Sequence, residues 1–170
     1  MGQVRKLTVM SVFIAIGIVG SQFIWFPAGV AKAYPVQHAI NVMAAISLGT
    51  GPAVLIAFLM ALIRNLLGLG TLLAFPGGMI GAFFAGILYK RFKKKGWAAG
   101  GEIFGTGIIG ALIAFPIANF LMGSSAGALF FIPVFIVSCV PGAIMGVLLT
   151  TRLNQHIIRA AGNIEEEVAK

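Results

Sequence analysis

Few polar side chains fall inside the apolar stretches of this sequence, and they gather in three places: Gln37, His38 and Asn41; Arg64 and Asn65; and Asn119. His38 and Asn41 are three residues apart, so a helix puts them on one face, with Gln37 one position round. These side chains offer both donors and acceptors. The rings of Trp25, Phe26, Tyr34 and Phe75 are expected at the same level, near the same ends of their segments. Donors, acceptors and rings collected at one end of a bundle suit the binding of a small polar-aromatic molecule. Bond-making chemistry is less well served. The sequence holds no aspartate, which excludes a Ser-His-Asp triad, and no HExxH. Its glutamates are Glu102 and the tail residues Glu165, Glu166 and Glu167, and Glu102 is expected at the opposite end from His38. A metal would find His38 alone, without a carboxylate or thiolate at its level. No metal or other cofactor is expected.

Each residue also has a plainer role. His38 can be a helix–helix hydrogen bond, and Asn41 and Asn119 can tie helices together in lipid. Arg64 can snorkel to the interface or hold loops. Glu102 is read as complementing a helix dipole from the first turn of its helix, and His156 as solvated. Cys139, the one cysteine, excludes an intrachain disulfide and packs as a small hydrophobe beside Pro141. It is the convergence of the polar group on one level that favours a site over these separate explanations.

The elements that must carry these residues are membrane helices. Of 170 residues 59% are hydrophobic and 9% charged, with mean hydropathy +1.04. A soluble domain is about a quarter charged, so here lipid has to be the solvent. Segments are expected at about 7–26, 36–49, 53–67, 72–89, 103–122 and 129–151, in a single all-α membrane domain with a solvated tail at 152–170. The stretch Pro27–Pro35, with Gly29, Lys32 and Tyr34, reads as a loop, as does the basic run 90–95. The segment 36–49 is short for a crossing. Leu7–Phe26 follows Arg5-Lys6 but is long for a signal sequence, and reads as a retained first helix.

Net charge is +8, yet the cations sit at the termini and in the 90–95 run, which fits membrane orientation and not a nucleic-acid surface. Six crossings put both termini and that run on the cytoplasmic side, leaving only Lys32 and Arg64 of the twelve Lys and Arg residues toward the outside. The sequence has no GxxxxGK[ST], so no nucleotide hydrolysis of its own is expected, and Gly68-Leu69-Gly70 lies between membrane helices, where it is no dinucleotide fingerprint. Small residues four apart (Ser11 and Ala15; Gly77, Gly81 and Ala85; Gly78, Ala82 and Gly86) mark faces for close helix approach. The inner stripes are read as internal packing. For Ser11 and Ala15 contact with a partner protein weighs equally.

Three stretches resemble a known family: Lys32-Ala33-Tyr34-Pro35-Val36-Gln37-His38-Ala39-Ile40-Asn41-Val42, the run from Arg64-Asn65 through Phe75-Pro76-Gly77-Gly78 to Gly81, and the run from Gly101-Glu102 to Gly110. They are similar to ThiW, a family of substrate-binding S-components of energy-coupling factor (ECF) transporters, over about residues 5 to 150. The resemblance implies a six-helix bundle in the bacterial cytoplasmic membrane. Such a bundle captures 4-methyl-5-(2-hydroxyethyl)thiazole, a thiamin precursor, from outside, under the first loop. Its implied partners are a transmembrane coupling protein, reached through small residues of helix one (Ser11, Ala15), and two cytoplasmic ATPase subunits. The ligand is neutral, so His38, Asn41, Asn65, Gln37 and Asn119 are reasonable hydrogen-bond partners, with Trp25, Tyr34 or Phe75 stacking on the ring. With about nine heavy atoms, tight binding requires that most of them be used, which predicts an occluded pocket. Alternatives are an S-component for another small heteroaromatic, a membrane enzyme using His38, and a purely structural subunit.

Overall fold

The computed structural model describes residues 3–28 and 31–168. Gly29 and Lys170 lie outside the described residues, as do the side chains of His156 and Glu165–Glu167. Helix α1 (Gln3–Phe23) leads into a two-stranded antiparallel hairpin, β1 (Phe26–Ala28) and β2 (Ala31–Ala33). Then come α2 (Pro35–Leu48), α3 (Thr50–Leu66), α4 (Ala74–Phe92), α5 (Lys95–Phe104) and α6 (Ala111–Met122), and after a short 3-10 turn α7 (Phe131–Val168). A π-helical segment, Gly105–Gly110, joins α5 to α6 without a break, so Lys95–Met122 is one rod of 28 residues. The rods alternate in direction. One end of the bundle carries the hairpin and the loops 67–73 and 123–127; the other carries the turns at Gly49 and at Lys93-Lys94.

Among the described residues three helices are long and apolar enough to cross a membrane: Gln3–Phe23, Lys95–Met122 and Phe131–Leu153, with Thr50–Leu66 as a shorter apolar helix. The interior is built for that solvent. Fourteen of the twenty-three buried apolar residues among those described are alanine, while large side chains such as Leu55, Phe83, Ile108, Phe120 and Leu148 face outward. In lipid no water drives large side chains inward, so close backbone packing decides which residues go inside.

Helix α2 is the centre. All eleven residues from Pro35 to Ala45 are buried, with α1, α3, α4, α5 and α7 around them. Glycines on its neighbours let it sit there. A Cβ on Gly142 of α7 would overlap the Pro35 carbonyl and come within 2.7 Å of the His38 Cβ, and one on Gly146 would lie 2.7 Å from the Ala39 carbonyl. The small-residue stripes of α4 pack internally, as expected: Gly77, Gly78, Gly81, Ala82, Ala85 and Gly86 are all buried. They face a second stripe at Gly101, Gly105 and Gly110, which continues through Ala114 and Ala118, all of them buried. Its spacing is four, five, four, four, and the π turn falls on the step of five. A π turn holds one residue more than an α turn, so it keeps that stripe on a single face.

Several expectations are corrected. The stretch Pro27–Pro35 is no plain loop, since Phe26 pairs with Ala33 and Ala28 with Ala31 across the hairpin. The basic run 90–95 is mostly helix. Lys90 and Arg91 occupy the last turn of α4, where cations suit the helix dipole. Lys93 closes that helix in the left-handed region (φ 56°), and α5 begins at once at Lys95 and not near 103. Helix α7 does not end at 151; its backbone stays helical through Val168.

Candidate functional site

Beneath the hairpin the buried polar side chains join into one circuit round the first turns of α2. It starts at the hairpin's base, where the Tyr34 backbone N–H donates to Ser138 Oγ on α7 (2.9 Å). Ser138 Oγ also lies 3.1 Å from His38 Nε2, and His38 Nδ1 lies 2.8 Å from Glu102 Oε1 on α5. A neutral imidazole satisfies both contacts when its Nδ1–H donates to the carboxylate and its Nε2 accepts the serine hydrogen. Asn41 Nδ2 donates to the same Glu102 oxygen (3.1 Å) and to the Gly78 carbonyl of α4 (3.1 Å). The Thr106 hydroxyl, one turn beyond Glu102, lies 3.0 Å from that oxygen and 2.9 Å from the Gly77 carbonyl.

The other side of the circuit belongs to Arg64. It is 1% exposed, its Nη1 donates to Gln37 Oε1 (2.7 Å), and its Nη2 donates to the Leu69 carbonyl (3.2 Å). Its guanidinium lies 4.0 Å from the centre of the Tyr34 ring, a cation–π contact, and this joins the two sides at the hairpin base; at α4 they meet by packing on Gly78 and not by a hydrogen bond. One arginine thus ties together α2, the hairpin and the 67–73 loop. Gln37 and Asn41, one helical turn apart on α2, both lie against Gly78, where a side chain would crowd them.

The expected site residues divide. Tyr34, Gln37, His38 and Asn41 belong to the circuit. Asn65 lies at its edge and holds a loop, donating to the Ala61 (2.8 Å) and Thr71 (3.1 Å) carbonyls. Phe75 is half-buried against Phe58, with ring centres 5.8 Å apart. Trp25 is largely exposed and pairs with Lys32, whose Nζ lies 4.2 Å from its ring centre. Asn119 is half-buried on α6, apart from the circuit, and no donor among the described residues reaches its Oδ1. Ser11 and Ala15 lie exposed on the outer face of α1.

Two expectations are overturned. Glu102 is not at the opposite end from His38; the two touch, so a carboxylate does stand at the level of His38. The reason is length. Because α5 starts at Lys95, Glu102 lies about two turns inside it and not in the first turn, while α2 spans only about 21 Å. Arg64 does not snorkel, because Gln37, Leu69 and Tyr34 hold it inside. Glu102, Thr106, Arg64 and Ser138 are therefore the members of the circuit that types and spacing did not assign. For Glu102 the available signal was its place in an apolar segment, where a lone carboxylate requires a partner. Among the described residues no group of three or more His, Cys, Asp and Glu side chains is placed to hold a metal ion.

Comparisons with known proteins bear on what such a circuit serves. The solved S component of a bacterial ECF transporter superposes with a TM-score of 0.78, covering 92% of this chain and 99% of that one. At 20% sequence identity that likeness speaks for a shared fold. No curated protein matches the chain. The sequence model described as thiamine-precursor transporter protein (ThiW) matches residues 7–156, and this multi-pass membrane protein accordingly belongs to the ThiW family.

Proposed function

We propose that the chain is the substrate-capturing S-component of an ECF-type importer, and that it binds hydroxyethylthiazole from the outer side for uptake driven by partner ATPases. The family is one of transporters, which sets aside the enzyme reading of His38. The observation that carries the proposal is the buried polar circuit closed beneath the hairpin. It collects donors, acceptors and the Tyr34 ring in a water-poor interior, which suits a small neutral heteroaromatic. Tyr34, Gln37, His38 and Asn41 are its proposed ligand-facing residues. Asn65, Phe75, Trp25 and Asn119 lie outside the circuit.

In this reading the chain is a single membrane domain crossing six times, with both termini cytoplasmic and the hairpin outward. The short α2 spans about 21 Å against the roughly 30 Å of a hydrocarbon core, and the hairpin covers its outer end. The exposed Ser11/Ala15 stripe suits contact with a transmembrane coupling protein, which in turn engages two ATPases. The deciding experiment is to identify the small molecule that co-purifies with the protein and to titrate hydroxyethylthiazole calorimetrically into the emptied protein. Saturable binding with one site per chain is expected. Retention of a different vitamin precursor, with no response to the thiazole, would discard the ligand and leave the transport class standing.

A further inference from the structure

We infer that Glu102 Oε2 and Asn41 Oδ1 together form a recognition point for a hydrogen-bond donor on the transported molecule, its hydroxyl in the case of hydroxyethylthiazole. The inference rests on the thiazole reading above and adds a selectivity to it. The donors that reach Glu102 converge on one oxygen: His38 Nδ1 at 2.8 Å, Asn41 Nδ2 at 3.1 Å and Thr106 Oγ1 at 3.0 Å all meet Oε1. No donor among the described residues reaches Oε2. The orientation of Asn41 is fixed in the same way. Its neighbours at 3.1 Å are the Gly78 carbonyl and Glu102 Oε1, which can only accept from it, so the amide nitrogen must face them and Oδ1 must face elsewhere. Asn41 Oδ1 too has no donor among the described residues.

Both side chains are 0% exposed. Buried acceptors left without a donor are costly, and a native interior rarely keeps two of them on neighbouring side chains without use. The wall beside Glu102 Oε2 carries no side chain and packs closely. The facing wall of α4 is bare backbone at Gly77, Gly78 and Gly81, and a Cβ on Gly81 would come within 2.5 Å of Glu102 Oε2. His38 and Asn41 on Oε1, with the one Thr106 hydroxyl hydrogen shared between Oε1 and the Gly77 carbonyl, hold the carboxylate still, so its second oxygen is aimed before a ligand arrives. A group preorganised to accept a hydrogen rejects analogues that lack it far more strongly than an apolar pocket rejects a missing methylene.

The test is calorimetric titration of the full-length protein in nanodiscs with three probes: hydroxyethylthiazole, its O-methyl ether, and 5-ethyl-4-methylthiazole. The ether keeps the oxygen but not the hydrogen; the ethyl compound lacks both and adds no bulk. The wild-type protein is expected to bind the alcohol about 30-fold or more tightly than either analogue, within the range for losing a partner of a buried charged acceptor. Glu102→Gln is expected to weaken the alcohol about tenfold and leave the analogues unchanged, collapsing the discrimination. Equal affinity of the wild type for alcohol and ethyl compound would overturn the assignment with no variant needed. So would equal weakening of all three ligands by Glu102→Gln. Binding of the alcohol without discrimination removes this assignment alone, whereas no binding of the alcohol by the wild type removes the thiazole reading as well.

Discussion

Helices α1 and α2 follow one another in the chain and obey opposite rules. Helix α1 has 21 residues and crosses easily, yet of these only Met10, Gly17 and Ser21 are buried. Its hydroxyls are spent locally: Thr8, Ser11 and Ser21 each donate to the carbonyl four residues back. Helix α2 has 14 residues, too few for an unaided crossing, and Gln37, His38 and Asn41 all bond to other helices. The difference teaches that hydropathy finds the helices that meet lipid, whereas the helix that organises the interior is the short one with the polar side chains. In water the amphipathic face would mark the core; in lipid the polar face does.

The comparison can be broken most sharply at the backbone contacts of α2. Gly142→Val would drive a branched side chain into the Pro35 carbonyl and the His38 Cβ, and a loss of about 3 kcal/mol or more is expected. Thermal unfolding in detergent and the monodisperse fraction should both fall. Unchanged melting would mean that α2 and α7 are less closely packed than described. Next in size is Arg64→Met, which leaves Gln37 Oε1 and the Leu69 carbonyl without their donor and removes the contact with Tyr34. A loss of about 2–3 kcal/mol is expected, together with faster proteolysis in the 67–73 loop. Retained protection there would show that Arg64 does not hold the loop. The smallest effect is predicted on α1. Ser11→Leu with Ala15→Leu should shift stability by no more than about 0.5 kcal/mol, because both positions are exposed. Recovery of the coupling protein in pull-downs should nevertheless drop. A large destabilisation would place the stripe inside the bundle and undo the contrast between the two helices.

Much of the bundle was legible in the residues. The long apolar runs gave α1, α6 and α7, and the chemistry of Gln37, His38 and Asn41 singled out α2 as the helix with something to hold. What escaped was set by contacts distant in sequence. The lysines at 90–95 read as a loop because they are charged, but lysine is a good helix former, and a single left-handed residue at Lys93 makes the turn. A loop there starts α5 too late and puts Glu102 at the end away from His38. Ser138 was hidden in an apolar run, where a hydroxyl more often bonds its own helix. Three-residue strands are too short to leave a period in the sequence, so the hairpin was invisible. The stripe from Gly101 to Ala118 could have been read, but only by allowing one step of five among steps of four.

That step of five also works as a phase setting between two halves of one rod. One residue corresponds to about 100° of helical rotation. Deleting a residue between Gly105 and Gly110 would give an ordinary helix that is locally more regular. It would also make the step of five a step of four, so Ala114 and Ala118 would keep their buried face. Forcing the present length into regular α-helix would instead swing them off it by roughly that angle while leaving Glu102 where it is. The rod therefore carries two independent alignments, one for the polar circuit and one for the packing of α6. Losing the π turn without losing its extra residue would uncouple them.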